Sequence, residues 1–320
     1  MKVLIGANPM GLEKGIPDLQ ARFPDVEFAT CPTRESTIDY IGDADVYMGW
    51  LSREAFVAGK KLKWIQSPSS GVNYYLEIPE LLESDVLLTS ASGTHGAAVA
   101  ESALAMILSF TRGIRPAILR QQERKWAGAE IRRDMIELTE TTMGIIGLGA
   151  IGRALAKRAK AFDMRVIAVD LFPNNKPDYA DELWGLDRLN DLMAESDFVV
   201  IMVPYTEETA NMIGAEQLAH MKPTAMLVAM SRGGILDQDA LVAALKEKKI
   251  ASAALDVFKP EPLGPDNELW GMENVLATPH IAGGTQYEGR YVLRIFSENL
   301  DRLRRDALPL QNQVDKQRGF

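Results

Sequence analysis

The sequence predicts an α/β fold of two domains, one of them built on a doubly wound parallel sheet. The chain has 320 residues, which is enough for two ordinary domains. Short apolar runs alternate with polar, helix-like stretches along most of its length, which is the pattern of parallel strands joined by crossover helices. A glycine-rich turn at Gly147 follows one of these apolar runs directly and opens a helical stretch.

The first series of alternating segments ends near residue 91. Its candidate strands are residues 2–5, 26–29, 46–49, 64–66 and 86–89, with helical stretches such as residues 15–23 between them. Residues 97–123 follow, with apolar positions three or four apart, and this spacing predicts one long helix that links two domains.

The second series begins at Thr142 and is more regular. Its candidate strands are residues 143–146, 165–169, 198–203, 225–229, 251–257 and 275–278, and a last helix is expected at residues 287–304. Ile151, Leu155, Ala159 and Phe162 recur at spacings of 4, 4 and 3, which predicts one apolar face of a helix. Six such strands make a Rossmann-type sheet. The expected domains are residues 97–285 and, combined, residues 1–96 and 286–320.

The composition excludes several classes of protein. The chain is 47% hydrophobic and 25% charged, as globular proteins are, and its net charge of -9 argues against nucleic acid or an anionic membrane as partner. No segment approaches the roughly 18 apolar residues of a spanning helix, and the apolar run at the start is too short for a signal peptide. The single cysteine, Cys31, permits no intramolecular disulfide, which fits a reducing compartment. We therefore expect a cytoplasmic protein.

The glycine-rich turn has the spacing of a dinucleotide-binding fingerprint. Gly147, Gly149 and Gly152 are expected to provide a tight turn, close approach to a pyrophosphate, and close packing of helix on strand. Asp170 lies 18 residues after Gly152, where a carboxylate can bind the adenosine ribose and repel a 2′-phosphate. The three residues after Asp170 carry no charge, so the expected cofactor is NAD rather than NADP.

Polar residues follow three of the later strands, and ligands of such sheets bind at the carboxyl ends of the strands. We expect Arg232 to hold a substrate carboxylate by two hydrogen bonds, because guanidinium and carboxylate are complementary in shape. His280 is expected to transfer a proton to and from a carbonyl oxygen, and Glu261 to orient His280. This set suits hydride transfer between a nicotinamide and a 2-keto acid. The three histidines have no metal-ligand spacing, so no metal is expected.

These motifs resemble those of the D-isomer-specific 2-hydroxyacid dehydrogenase family over nearly the whole chain. They are the glycine fingerprint, Val203-Pro204-Tyr205-Thr206 with Thr209, Ser231-Arg232-Gly233, Asp256-Val257-Phe258 with Glu261-Pro262, and Pro279-His280. The resemblance implies the same roles for the arginine, the glutamate and the histidine, and a smaller flavodoxin-like substrate domain separated by a cleft from the Rossmann-type domain. It also implies cofactor contacts at Ala150, Ile151, Pro204, Thr206, Thr209, Met230, Ser231 and Gly283, with Asp256 as partner of the carboxamide.

The family resemblance extends to the first half of the chain. Ser70, Gly71 and Val72 look like the family loop whose backbone N–H groups help to hold the substrate carboxylate. Asn73 departs from the aspartate that often follows this loop, and Glu261 departs from the glutamine of formate dehydrogenases. The resemblance further implies a homodimer built on the nucleotide domains, with residues 97–123 as a plausible contact.

Several alternatives stay open. The small acid could be glyoxylate or hydroxypyruvate, phosphoglycerate, or a bulkier 2-keto acid, although the substrate loops show no basic cluster for a phosphate. Trp50, Leu51, Tyr74 and Tyr75 either line a side-chain pocket or pack in the core. The rival from another class is an NAD(H)-sensing, corepressor-like binding protein without significant turnover.

Overall fold

The computed structural model describes residues 1–319, which form two compact units. One unit comprises residues 1–95 and resumes at Thr285, and the other comprises residues 96–284. Each unit contains its own parallel sheet, so the predicted α/β class is confirmed.

The first unit is built on a five-stranded parallel sheet with the strand order β2-β1-β3-β4-β5. Its strands are β1 (Lys2–Ile5), β2 (Glu27–Thr30), β3 (Val46–Met48), β4 (Trp64–Gln66) and β5 (Leu87–Thr89). This order is that of flavodoxin-like sheets, as expected. The central strands β1, β3 and β4 are buried at almost every position, because helices cover both faces of a parallel sheet.

Five short helices connect these strands. They are α1 (Ile16–Arg22), α2 (Thr37–Tyr40), α3 (Arg53–Ala58), α4 (Asn73–Leu76) and α5 (Pro79–Leu82). Proline begins α5 at a position where its missing N–H is not needed. Ser52 caps α3 by accepting a hydrogen bond from the N–H of Ala55 at 3.2 Å.

The second unit is built on a seven-stranded parallel sheet, one strand more than predicted. The order is β12-β11-β10-β9-β6-β7-β8. The strands are β6 (Thr142–Ile146), β7 (Arg165–Val169), β8 (Glu182–Trp184), β9 (Phe198–Ile201), β10 (Met226–Ala229), β11 (Ser252–Leu255) and β12 (Val275–Ala277). The order reverses between β6 and β9, and this switch point of a doubly wound sheet is where a dinucleotide binds.

The additional strand is β8, which pairs with β7 at the edge of the sheet. It is only three residues long and begins with Glu182, whose type is depleted in strands. Arg165 on β7 pairs with Glu182 and also with Glu195, and Leu183 and Trp184 are only half-buried against the cores on the two faces of the sheet. The sequence pattern therefore gave no strand signal here.

The helices of the second unit differ from prediction at one place. They are α6 (Gly96–Thr111), α7 (Ile114–Gln122), α8 (Gly128–Arg132), α9 (Ala150–Lys160), α10 (Leu189–Glu195), α11 (Ala215–His220) and α12 (Gln238–Lys246). The single helix expected at residues 97–123 is wrong, because it breaks into α6 and α7 with a 65° bend. Gly113 has a φ of +68° at the break, a left-handed conformation that glycine adopts without strain.

The chain returns to the first unit through α13 (Glu288–Arg304). Val292, Phe296 and Leu300 of this helix are fully buried against the first sheet, and the ring of Phe296 stacks on that of Trp64 at 5.0 Å. In residues 1–319 no single helix has the length and apolarity of a membrane span; only α6 and α7 together, across their bend, reach them.

Candidate active site

The fingerprint glycines form a tight cradle after β6. Gly147 has a φ of +98°, and a Cβ at this position would lie 2.9 Å from the backbone nitrogen of Val203. A Cβ at Gly152 would lie 2.1 Å from the carbonyl oxygen of Gly147, so only glycine lets α9 approach the strand so closely. A Cβ at Gly149 would meet no atom within 4 Å, so this face of the turn is open.

The first turn of α9 lies at the open side of this cradle. Ala150, Ile151 and Gly152 are its first three residues, whose N–H groups have no partner within the helix. The positive end of the helix dipole coincides with these groups and favours a bound phosphate. Leu155 and Ala159 bury the opposite face as predicted, whereas Phe162 lies beyond the end of α9 and is 37% exposed.

Asp170 follows β7 and both of its carboxylate oxygens accept backbone hydrogen bonds. Oδ2 accepts from the N–H of Leu148 at 2.7 Å, and Oδ1 accepts from the N–H of Phe172 at 2.9 Å. Asp170 lines a cavity of about 320 Å³ next to the fingerprint turn. Arg153 lines the same cavity, and its guanidinium donates to the carbonyl oxygen of Asn175 at 3.0 Å. Sequence reasoning missed Arg153, because it considered only the residues after Asp170.

The segment after β9 holds the next expected cofactor contacts. The Thr209 hydroxyl donates to the carbonyl oxygen of Pro204 at 2.8 Å and accepts from the N–H of Thr206 at 2.8 Å. Both polar functions of the Thr209 side chain therefore serve the loop itself. The Thr206 hydroxyl accepts from the N–H of Thr209 at 3.3 Å and is a hydrogen-bond partner of the Glu208 carboxylate, so both threonines serve the loop.

The end of β10 offers the clearest sign of a missing partner. Met230 is buried, and the side-chain oxygen of the next residue, Ser231, is buried without a hydrogen-bond partner among residues 1–319. A buried hydroxyl without a partner is costly, so it points to a ligand atom in the functional state. Together with the open cradle at Gly149, this observation fits a dinucleotide at the carboxyl ends of β6, β9 and β10.

Asp256 at the end of β11 is buried and organises the segment that carries His280. Its Oδ1 accepts from the Thr278 hydroxyl at 2.5 Å and from the N–H of Ile281 at 2.9 Å, and its Oδ2 accepts from the N–H of Ala282 at 2.9 Å. Three donors leave little of the carboxylate for the expected carboxamide contact. Sequence reasoning did not foresee this structural role. Gly283 directly follows the anchored residues.

Arg232 follows Ser231 and is half-buried. Its Nη1 donates to the carbonyl oxygen of Ser231 at 2.7 Å, which orients the guanidinium and leaves other N–H groups available. Burial lowers the pKa of Arg232, and the charge of Glu261 acts in the opposite direction. A Cβ at Gly233 would lie 1.7 Å from the carbonyl oxygen of Phe258, so the Arg232 loop touches the chain that leads to Glu261.

Glu261 and His280, the expected orienting acid and proton donor, lie in direct contact. Glu261 Oε2 lies 2.8 Å from His280 Nδ1, and Glu261 Oε1 accepts from the N–H of Phe258 at 2.7 Å. His280 has a φ of +53°, a conformation that non-glycine residues rarely adopt and that often marks a functional position. Because a carboxylate only accepts, this contact requires a proton on Nδ1 and leaves Nε2 as the other ring nitrogen.

The loop after β4 belongs to the first unit. The backbone N–H groups of Ser70, Gly71 and Val72 have no acceptor among the residues that the structure describes. Three consecutive free N–H groups form a concavity that suits an anion. Arg232, the other residue expected to hold the substrate carboxylate, belongs to the second unit.

The proposed side-chain pocket is only partly supported. Leu51 and Tyr75 are fully buried in the core of the first unit, and the Tyr75 hydroxyl donates to the carbonyl oxygen of Gly49, so both pack rather than line a pocket. Trp50 and Tyr74 are more accessible, and the guanidinium of Arg34 lies 4.6 Å from the centre of a Trp50 ring. His220 is exposed at the end of α11.

Comparison with known proteins is consistent with this geometry. The family model described as D-isomer specific 2-hydroxyacid dehydrogenase, NAD binding domain, matches residues 104–282. The chain is 36% identical to a glyoxylate reductase of Korarchaeum cryptofilum, over 87% of this chain and 85% of that relative. It is 34% identical to a D-3-phosphoglycerate dehydrogenase of Methanocaldococcus jannaschii over 89% of this chain, but spans only 54% of that relative's length.

A solved structure adds a fold-level match along the whole chain. It is a D-isomer specific 2-hydroxyacid dehydrogenase from Xanthobacter autotrophicus Py2 in complex with NADPH and MES. The TM-score is 0.85 at 28% sequence identity, and the match covers 99% of both chains.

Proposed function

The chain belongs to the D-isomer-specific 2-hydroxyacid dehydrogenase family, and from this premise we propose that it reduces glyoxylate, hydroxypyruvate or a related small 2-keto acid with NADH. The observation that carries the proposal is the pair of Glu261 and His280 at 2.8 Å, with Arg232 on the adjacent loop. A proton donor and a carboxylate-binding guanidinium at the carboxyl ends of the strands are what reduction of a 2-keto acid requires.

The bound nicotinamide supplies the hydride, and the protein supplies orientation and a proton. Arg232 binds the substrate carboxylate with its free N–H groups. In the first unit, the unpaired N–H groups of Ser70, Gly71 and Val72 suit an anion of the same kind. His280 Nε2 gives its proton to the carbonyl oxygen as the alkoxide develops. Glu261, in contact with Nδ1, holds the imidazole in the orientation that this step needs.

Two observations favour a small substrate: the activities of the relatives, and the cations near the substrate loop of the first unit. The Korarchaeum cryptofilum relative is a glyoxylate reductase and matches along most of both chains, whereas the phosphoglycerate dehydrogenase matches over about half of its own length. A phosphorylated acid needs several cations, and the cation in contact with the candidate pocket residue Trp50 is the single guanidinium of Arg34.

NAD rather than NADP is proposed because of Asp170. Its carboxylate, fixed by the N–H groups of Leu148 and Phe172, lies where the ribose hydroxyls of a dinucleotide are expected, and it would repel a 2′-phosphate. Arg153 in the same cavity opposes this preference to some extent, and the Xanthobacter autotrophicus structure holds NADPH. We propose that Asp170 outweighs Arg153 in setting the cofactor preference, since its fixed carboxylate directly accepts hydrogen bonds from a 2′-hydroxyl.

We also propose a cytoplasmic homodimer with contacts through the second unit. Ile114 and Ile118 on α7 are each 49% exposed, Ile136 is 42% exposed, and Trp126 is 99% exposed. Large apolar side chains exposed in one segment are typical of an interface rather than of a free surface. Cys31 is buried and unpaired, in keeping with a reducing compartment.

The test is oxidation of NADH by the purified protein across a panel of 2-keto acids, followed by absorbance, with NADPH in parallel. Turnover of glyoxylate or hydroxypyruvate with NADH supports the proposal. Faster turnover with NADPH would refute the cofactor assignment. Tight NADH binding without turnover of any acid would instead identify an NAD-sensing binding protein.

A further inference from the structure

His95 is a buried histidine outside the catalytic set. Its side chain is 11% exposed and makes three polar contacts, all within the first unit. Nδ1 lies 2.9 Å from the Ser70 hydroxyl and 2.8 Å from the Thr94 hydroxyl, and Nε2 lies 3.1 Å from Glu288 Oε1. One imidazole thus connects the loop after β4, the segment after β5 and the first residue of α13.

The protons of this cluster can be assigned by counting donors and acceptors. The Glu288 carboxylate only accepts, so Nε2 of His95 carries a proton. The carbonyl oxygen of Ala91 accepts from the Thr94 hydroxyl at 2.7 Å and lies 3.2 Å from the Ser70 hydroxyl. The Ser70 hydroxyl, 2.9 Å from Nδ1 and 3.2 Å from the Ala91 carbonyl oxygen, therefore serves this cluster, either as donor to Nδ1 or as acceptor from it.

This assignment separates the side chain of Ser70 from its backbone. The hydroxyl points inward and is used by His95, whereas the backbone N–H has no acceptor among residues 1–319. The N–H groups of Gly71 and Val72 are free in the same way. Free N–H groups bind an anion well only when the loop that carries them is held in place, because ordering a loose loop reduces affinity.

We propose that His95 is a positioning residue for the substrate: through Ser70 and Glu288 it fixes the loop of residues 67–72 so that its three free N–H groups converge on the carboxylate of the 2-keto acid. The inference rests on the proposed function, because that function supplies the anion. It assigns to His95 a role in binding the acid and none in hydride transfer.

A positioning role predicts a specific division of kinetic effects. In His95→Ala the KM for the keto acid rises about tenfold, because the carboxylate site is no longer preformed. The value of kcat changes by less than about threefold, since His280 and Glu261 are intact. The Kd for NADH stays unchanged, because the cofactor residues lie in the other unit.

Two conservative variants separate the contacts of the imidazole. Asparagine places a polar atom near the position of Nδ1 and can keep the link to Ser70, whereas glutamine reaches the position of Nε2 and can keep only the link to Glu288. If fixing Ser70 is what matters, His95→Asn restores the KM more fully than His95→Gln. The matched control is His220→Asn, because His220 is exposed. In this variant kcat, the KM for the acid and the Kd for NADH stay unchanged.

The experiment measures kcat and KM for the acid, NADH affinity by fluorescence, and the affinity of the NADH-bound enzyme for oxamate, an unreactive keto-acid analogue. A raised KM and weaker oxamate binding, with asparagine restoring both, support the proposal. An unchanged KM in His95→Ala, or a parallel loss of NADH affinity, kcat and Tm, overturns it. Should His95→Ala not fold, the difference between asparagine and glutamine decides. Wild-type protein that turns over no acid refutes the proposed function instead.

Discussion

His280 Nδ1 lies 2.8 Å from Glu261 Oε2, although 18 residues separate the two in the chain and each follows a different strand. The other carboxylate oxygen of Glu261 is held by the N–H of Phe258. Both carboxylate oxygens of Glu261 therefore have partners, and the imidazole of His280 is oriented by this carboxylate. This arrangement makes the charge and the geometry of Glu261 separable by mutation.

Glu261→Gln removes the charge but can preserve the shape of this pair. Because an amide cannot reproduce the charge-assisted hydrogen bond to Nδ1, we expect kcat for keto-acid reduction to fall about 100-fold with little change in Tm. His280→Ala should remove most turnover while the fold stays intact. Steady-state kinetics and thermal unfolding measure both effects, and a fully active His280→Ala would contradict the proton-donor role.

Arg232→Ala should abolish most keto-acid turnover while NADH binding is largely kept. The guanidinium is expected to bind the substrate carboxylate at two points, so Arg232→Lys restores the charge but only part of the activity. We expect kcat/KM to fall about 1,000-fold in the alanine variant and about 100-fold in the lysine variant. Near-wild-type activity of the alanine variant would show that another residue binds the carboxylate.

Asp170→Asn should move the cofactor preference toward NADPH. The amide oxygen can still accept from one backbone N–H, whereas the charge that repels a 2′-phosphate is gone. The ratio of kcat/KM for NADH to that for NADPH is expected to fall at least about tenfold. Arg153→Gln in the same cavity should change the ratio in the opposite direction, and equal ratios in all three proteins would refute the assigned selectivity.

Gly233→Ala tests the contact between the Arg232 loop and the chain before Glu261. The added Cβ would lie 1.7 Å from the Phe258 carbonyl oxygen, so one of the two loops must move. We expect the free energy of unfolding to fall by about 2–3 kcal/mol and activity to be lost. Gly264→Ala is the matched control, because its Cβ meets nothing within 4 Å. Equal stability of the two variants would contradict the close approach.

Ile118→Glu tests the proposed dimer. The side chain is 49% exposed on α7, whose residues are all outside the core, so a charge there costs little in an isolated subunit. Buried in an interface, the same charge would be unpaired and disruptive. Light scattering should show a dimer for the wild-type protein and a monomer for the variant. A wild-type monomer would rule out the dimer directly.

Much of the fold could be predicted because parallel strands buried on both faces read as apolar runs. The runs at β1, β4 and β7 have the bounds that the sequence indicated. What failed was local. The edge strand β8 is three residues long and only half-buried, and a left-handed glycine breaks the helix at Gly113; apolar periodicity reveals neither feature.

The site was predictable to the extent that its residues directly follow strands. Glu261 and His280 come together because neighbouring strands end at the same edge. Arg153 and His95 were not assigned roles, since each depends on contacts with chain far away in sequence. The burial of Leu51 and Tyr75 could not be predicted either, because the sequence does not show whether an apolar side chain faces the core or a pocket.

The close approach of Gly233 to Phe258 couples the positions of two loops. A side chain at residue 233 cannot be accommodated unless residues 258 and 259 move, and they lead directly to Glu261. Changes in the loop of Arg232 and in the loop that leads to Glu261 are therefore coupled, since a larger residue 233 requires a compensating shift of residues 258 and 259. The two loops behave as one mechanical unit, so a substitution that displaces either loop also displaces the other.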